Sequence, residues 1–170
     1  MSRVHWRPAY LAIGSNLHRP EEQVRHAMAG LEQMPLTQVF SRSSLYRTRP
    51  MGGADQPDYV NAAAGVLTQL PARALLDAML QLEARMGRER RERWGPRIID
   101  LDLIWMCGPP IDEPGLVLPH PGVSTRNFVL YPLAEIAPDL HIPGAGRVAE
   151  LAARVDPAGI QRIQEQRTAT

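Results

Sequence analysis

Asp100 and Asp102 stand two residues apart in RWGPRIIDLDLIW, residues 93–105, inside an otherwise apolar run. In a strand, successive side chains alternate between faces. Both carboxylates then point one way while Ile99, Leu101 and Leu103 point to the core. Like charges that close repel unless a cation sits between them. A hard divalent ion such as Mg²⁺ suits the pair, because it takes oxygen ligands and binds one or two carboxylates together with substrate phosphates. A solvated strand face is the plainer alternative. Aspartate is depleted in strands, but spacing alone does not choose between the two.

Just upstream, residues 88–97 hold Arg88, Arg90, Arg91, Arg93 and Arg97 against Glu89 and Glu92. Arginine grips phosphate with a planar, two-pronged fork. Carboxylates for a metal beside arginines for phosphate are the parts of a phosphoryl-transfer site, where positioning and charge neutralisation supply most of the catalysis. The outer arginines read more simply as a solvated loop paired with its own glutamates. Arg97 stands apart, because Gly95 and Pro96 fix the chain just before it, three residues ahead of Asp100.

Composition removes several other chemistries. All 19 basic residues are arginine, so a lysine nucleophile, a Schiff base and a P-loop lysine are excluded. There is no GxxxxGK[ST], and the GSN at residues 14–16 is not a GxGxxG fingerprint. A nucleotide site here is of a non-P-loop kind, built on an antiparallel sheet. The net charge of +1 creates no global pull toward nucleic acid or anionic membrane. With Cys107 as the one cysteine, neither an internal disulfide nor a cysteine metal cage can form. The 170 residues, 44% hydrophobic and 22% charged, suit a single globular domain, 1–170. No signal-peptide core and no run approaching the ~18 apolar residues of a membrane span is present. The expectation is a cytoplasmic protein without membrane partners. It is expected to be monomeric, since no exposed apolar stripe is evident.

The elements that would position the aspartates follow from local pattern. AYLAI, residues 9–13, reads as a buried strand ending at Gly14. Val24, Met28 and Leu31 recur at helical spacing between residues 21 and 34, behind Glu21 and Glu22 at the dipole's positive end. TQVFSRSSLYRT, residues 37–48, reads as a strand, and RPMGGADQPD, residues 49–58, as a mobile loop. A strand follows from Tyr59. Pro71 opens a helix whose Leu75, Met79, Leu82 and Met86 share a face and which Gly87 stops. Residues 88–97 read as a second mobile loop, and IIDLDLIW as the fourth strand. The order is β-α-β-β-α-β, so the fold expected is α+β, a ferredoxin-like antiparallel sheet with helices on one side. C-terminal additions follow: a Pro/Gly-rich connection at 108–123, a helical pattern from Ser124 to about Ile136, and an apolar tail around Val148 to Val155. The last residues, QEQRTAT, are expected to fray.

With these blocks in place the chain resembles the hydroxymethyl-dihydropterin pyrophosphokinases of folate biosynthesis. RWGPRIIDLDLI fits that family's signature, Arg-x-Gly-Pro-Arg, two residues, then Asp-Leu-Asp and two aliphatics. AYLAIGSNL, SSLYRT, DQPDYVNAA, LEARMGRERRERWGPR, LPHPGVSTRNFVLYPL and EIAP each look like family blocks, in the right order over roughly residues 9 to 143. Residues 144–170 lie outside the likeness. The resemblance implies that the pterin hydroxymethyl group attacks the β-phosphorus of ATP, the co-substrate, and that AMP leaves. It implies two Mg²⁺ held by Asp100 and Asp102, and catalytic-loop arginines at Arg88 and Arg97. Trp94 would close over the site, touching both substrates. Glu83, Arg97, Leu103, His120 and Arg126 fall on the ATP side. Tyr59 and Phe128 match the aromatic pair that sandwiches the pterin ring; core packing is the plainer reading of both. Asn61 offers an amide to the ring edge, and Thr48 and Met51 line the same pocket. The chain departs from the pattern at Arg49, where proline can follow the threonine, at Pro121, where an aromatic can follow the histidine, and in an arginine loop about one residue shorter.

Two other functions share parts of this pattern. RNA-recognition modules have the same βαββαβ order, but they stack bases on strand aromatics. Here the corresponding strands offer AAAGV and IIDLDLI, whose aspartates repel phosphate without metal. Another Mg²⁺-dependent nucleotide transferase could use the same Asp pair on a different acceptor, and the identity of its products would tell it apart.

Overall fold

The computed structural model describes residues 3–50, 55–87 and 98–165. The fold is mixed α+β. A six-stranded antiparallel sheet contains β1 (Arg7–Ser15), β2 (Thr37–Arg42), β3 (Tyr46–Thr48), β4 (Tyr59–Thr68), β5 (Asp100–Met106) and β10 (Ile160–Arg162). Along its main path the order is β10-β3-β4-β1-β5, and β2 pairs with the far half of β4. The connections carry α1 (Pro20–Leu31), α2 (Ala72–Arg85), α3 (Asn127–Ile136) and α4 (Val148–Arg154). Two small hairpins complete the described elements: β6 (Ile111–Glu113) with β7 (Leu116–Leu118), and β8 (His141–Ile142) with β9 (Gly146–Arg147).

Alternation along β1 sorts the sheet's two faces. Ala9, Leu11 and Ile13 join the core under α1 and α2, with Val24, Leu31, Leu75 and Met79. Tyr10 and Ala12 face the second core, where Val129, Leu130 and Leu133 of α3 meet Leu151 and Ala152 of α4. The C-terminal additions thus cover the face that α1 and α2 leave bare. Being covered on both sides explains Ala62, Ala63 and Ala64, each at most 1% exposed in β4: there is room only for methyl groups between two helix layers.

The segment 37–48 is two strands. Both pair with β4, and between them Ser43 bonds Ala63, its N–H to the carbonyl at 2.9 Å and its Oγ to the N–H at 2.8 Å. A register shift between Val39 and Ser41 leaves Phe40 out of the ladder, as a β-bulge does. Pro71 is the N-cap of α2, one place before its first helical residue. Gly87, at φ +86, takes the left-handed conformation that ends the helix.

Candidate active site

Gly14 of β1 lies opposite Asn61 of β4 on one side and opposite Asp100 of β5 on the other. Two residues back, Ala12 lies opposite Asp102. Residues directly opposed in antiparallel strands share a face, so Asn61, Asp100 and Asp102 all stand on the face that carries α3. Two strand spacings of ~4.8 Å put the Asn61 and Asp100 backbones about 10 Å apart. Residue 14 has no space for a side chain, since a Cβ there would lie 2.8 Å from Asn61 Oδ1. What its absence leaves is the floor of a cavity of about 360 Å³.

One wall is amide and aromatic. Asn61, 7% exposed, donates from Nδ2 to Thr48 Oγ1 at 2.7 Å. Thr48 ends β3 opposite Tyr59, which begins β4. Phe128, from the first turn of α3, and Tyr59 both line the cavity. The Arg126 guanidinium carbon lies 5.8 Å from the centroid of the Phe128 ring. Gln56 lies on the rim, where Asn16 Nδ2 donates to its side-chain oxygen and to the Pro57 carbonyl, both at 3.2 Å.

The other wall is charged. Ile99, Leu101 and Leu103 turn into the α1/α2 core, so Asp100 and Asp102 line the cavity half-buried. The β1–β5 register slips after Leu103, with Tyr10 opposite Trp105 and Leu11 opposite Leu103. The extra residue, Ile104, drops into the α3/α4 core. Its carbonyl, freed from the ladder, accepts the His120 N–H at 2.8 Å and so holds His120 at the cavity. Burial first, and then the Arg126 cation, lower the His120 pKa against the pull of Asp100. His120 Nδ1 accepts the Gly122 N–H at 3.0 Å, which assigns the proton of the neutral ring to Nε2. Arg126 passes directly over Gly122, where a Cβ would meet its Nε at 2.6 Å.

Among the described residues no three His, Cys, Asp or Glu side chains cluster as a complete metal cage. Two oxygen-donor carboxylates facing a cavity with open room fit a hard cation that takes its other ligands from phosphate and water.

Residues 10–138 match the family described as 7,8-dihydro-6-hydroxymethylpterin-pyrophosphokinase. The chain belongs to this family. A 2-amino-4-hydroxy-6-hydroxymethyldihydropteridine pyrophosphokinase of Pseudomonas aeruginosa is 44% identical over 91% of this chain and 95% of its own length. The enzyme of that name from Methylorubrum extorquens is 45% identical over 92% of this chain and 98% of its own. The fold is also that of a solved Plasmodium falciparum HPPK-DHPS chain, with a TM-score of 0.73 at 13% identity. That match covers 90% of this chain and 45% of the solved one, so this chain spans less than half of the larger protein.

Of the positions that the pyrophosphokinase resemblance singles out, Thr48, Tyr59, Asn61, Asp100, Asp102, His120, Arg126 and Phe128 all line the one cavity. Glu83 and Leu103 do not. Leu103 packs in the α1/α2 core. Glu83, 2% exposed, accepts the Leu101 N–H at 2.7 Å, so it grips the backbone between the two aspartates. Met51, Arg88, Trp94 and Arg97 lie outside the described residues, as do residues 51–54 and the whole 88–97 loop. Sequence reading passed over Gly14, Asn16, Gln56 and Gly122. Gly14 had a usable signal, because a glycine ending a buried strand marks a place where something approaches the backbone closely.

Proposed function

We propose that this cavity is where the chain carries out its family's reaction, the transfer of pyrophosphate from ATP to the hydroxymethyl group of 6-hydroxymethyl-7,8-dihydropterin, a step of folate biosynthesis. The hydroxymethyl oxygen attacks the β-phosphorus, the bond from that phosphorus to the α,β-bridging oxygen breaks, and AMP leaves with the oxygen. The hydroxyl proton goes to solvent. The observation that carries the reading is the arrangement across Gly14, with an amide and aromatics on one side and a carboxylate pair on the other, about one small-molecule width away.

Tyr59 and Phe128 sandwich the pterin ring, and Asn61 reads its edge with the oxygen that Thr48 leaves available by taking the Nδ2 hydrogen. Met51 adds to this pocket. Arg126 and the Nε2–H of His120 meet the triphosphate. Asp100 and Asp102 would hold Mg²⁺, which when bound neutralises phosphate charge and aligns the two substrates; we propose two such ions. Arg88 and Arg97 meet charge that develops on the transferring group, and Trp94 closes over the site. Glu83 acts on the ATP side by fixing the strand that carries the carboxylates, and Leu103 by anchoring the same strand in the core.

We further read residues 1–170 as a single pterin pyrophosphokinase domain, monomeric and cytoplasmic. The sheet order β3-β4-β1-β5 supports the ferredoxin-like description, and among the described residues no helix is long and apolar enough to cross a membrane. The test is Asp100→Ala and Asp102→Ala. Each is expected to abolish turnover while leaving the circular dichroism spectrum and pterin binding intact. A variant with near-normal rate would sink the metal role.

A further inference from the structure

Residues 156–162, which follow α4, touch both flanks of the cavity. After α4 the chain turns through Asp156 and Gly159 and then runs as β10 along β3, with Ile160 opposite Thr48 and Arg162 opposite Tyr46. The turn is set from within: the Ala158 N–H bonds Asp156 Oδ1 at 2.9 Å, and Gly159 sits at φ +76. On one flank is Asn127, between Arg126 and Phe128. Its Nδ2 donates to the carbonyls of Asp156 at 2.9 Å and Ala158 at 3.0 Å. On the other flank is Arg49, directly after Thr48 and itself lining the cavity. It donates its N–H to the Gly159 carbonyl at 3.0 Å. Proline at 49 would lack that N–H.

Both flanks need outside support. β3 is only 3 residues long and ends at Thr48, whose hydroxyl sets the Asn61 amide. Without β10 it would be an edge strand leading straight into a loop, the kind of element that opens most readily. The first turn of α3 has N–H groups without intrahelical partners and no side-chain cap on its N-terminus. Its tie to the turn through Asn127 fixes the start of the helix instead. Farther along, the Ile163 N–H bonds the Leu45 carbonyl at 2.8 Å, and Arg162 lies 3.5 Å from Glu135 of α3.

We propose that residues 156–162 are a positioning element for the pterin side of the site. They strap the first turn of α3 to the end of β3, and act through Asn127 and Arg49 on Phe128 and on the Thr48–Asn61 pair. The inference rests on the pterin reading given above.

The test uses full-length Asn127→Ala, Gly159→Val and the double variant. Gly159→Val puts a branched side chain at a left-handed residue whose Cβ would already meet Arg49 at 3.4 Å. Hydroxymethyl-dihydropterin is titrated calorimetrically, and amide exchange at residues 48–50 and 126–129 is followed without ligand. Each single variant is expected to raise the pterin Kd by roughly fivefold or more, the scale of one net hydrogen bond, and to speed exchange at both flanks. The double variant is expected to lose little more than the worse single one, because both cut the same strap. Pterin affinity within twofold of wild type in both singles, with only the melting temperature lowered, would overturn the proposal and leave the segment a plain stabiliser. So would fully additive losses. Failure of the wild-type chain to bind pterin would instead strike the functional reading, while the exchange data would still decide whether the strap exists.

Discussion

Gly14→Ala is the smallest change that reaches the centre of the site. The new Cβ would sit 2.8 Å from Asn61 Oδ1, so the amide must retreat by about 0.6 Å to the 3.4 Å of ordinary contact. The amide is not loose. Its Nδ2 is held by Thr48 Oγ1 at 2.7 Å and the residue is buried. Retreat stretches that bond, at a net cost near ~1 kcal/mol, and drives the side chain off its rotamer, at ~0.5–1.5 kcal/mol. The sum, about 2 kcal/mol, is lost from the stability of the fold, and the displaced amide no longer meets the ring edge, so pterin affinity should fall roughly tenfold, the scale of one buried hydrogen bond. Calorimetric titration with hydroxymethyl-dihydropterin reads the affinity, and thermal unfolding should fall by about 2–4 °C per kcal/mol at this chain length. The decisive comparison is the same substitution made on an Asn61→Ala chain, where it should cost little because the clashing oxygen is gone. Affinity within twofold of wild type, or an equal loss on both backgrounds, would refute the argument.

Other expectations come from the walls and supports of the cavity. Glu83→Ala leaves the buried Leu101 N–H without its carboxylate acceptor, which should cost about 1–3 kcal/mol in chemical denaturation and lower kcat by loosening the Asp pair; an unchanged denaturation midpoint would contradict this. Arg97→Ala should lower kcat more than ~10-fold, as loss of transition-state charge stabilisation does, and a pure KM effect would reduce Arg97 to a binding residue. Glu135 gives a pH test. Burial alone would raise its pKa, but hydrogen bonds from Tyr46 and Ser44 and the Arg162 cation outweigh burial and lower it. Its contribution is therefore present above the unfolded carboxyl value near 4.5 and is lost as pH falls through the lower folded value. Unfolding free energies compared between wild type and Glu135→Gln should differ at pH 6 and converge as pH falls below the unfolded value near 4.5 and through the lower folded one; a difference that stays constant with pH would contradict the assignment.

How much of this could be read from the sequence depended on whether the cause was local. The Asp100/Asp102 alternation is a property of five consecutive residues, 99–103, and the structure keeps Ile99, Leu101 and Leu103 in the core opposite them. The same run, continued as LIW, gives no sign of the bulge at Ile104, because an unbroken apolar stretch fits either face. Yet that bulge frees the carbonyl that holds His120. The split of 37–48 into β2 and β3 was hidden for a similar reason, since side-chain propensity does not show where a ladder slips. Ala62, Ala63 and Ala64 are poor strand formers whose fit comes from the helices on either side, a tertiary cause. β10 has only the pattern IQR, and its pairing with β3 rests on contacts more than a hundred residues away in sequence. Asn61, Tyr59 and Phe128 were legible through likeness to a family, not through periodicity.

The most direct measurement of the central claim is the identity of the nucleotide product. The protein is incubated with ATP, Mg²⁺ and hydroxymethyl-dihydropterin, with controls lacking pterin or metal, and the nucleotides are separated. AMP is expected in amounts equal to the pyrophosphorylated pterin, and only when both pterin and metal are present. Folded protein that yields no AMP, or that releases ADP or free pyrophosphate instead, would contradict that claim.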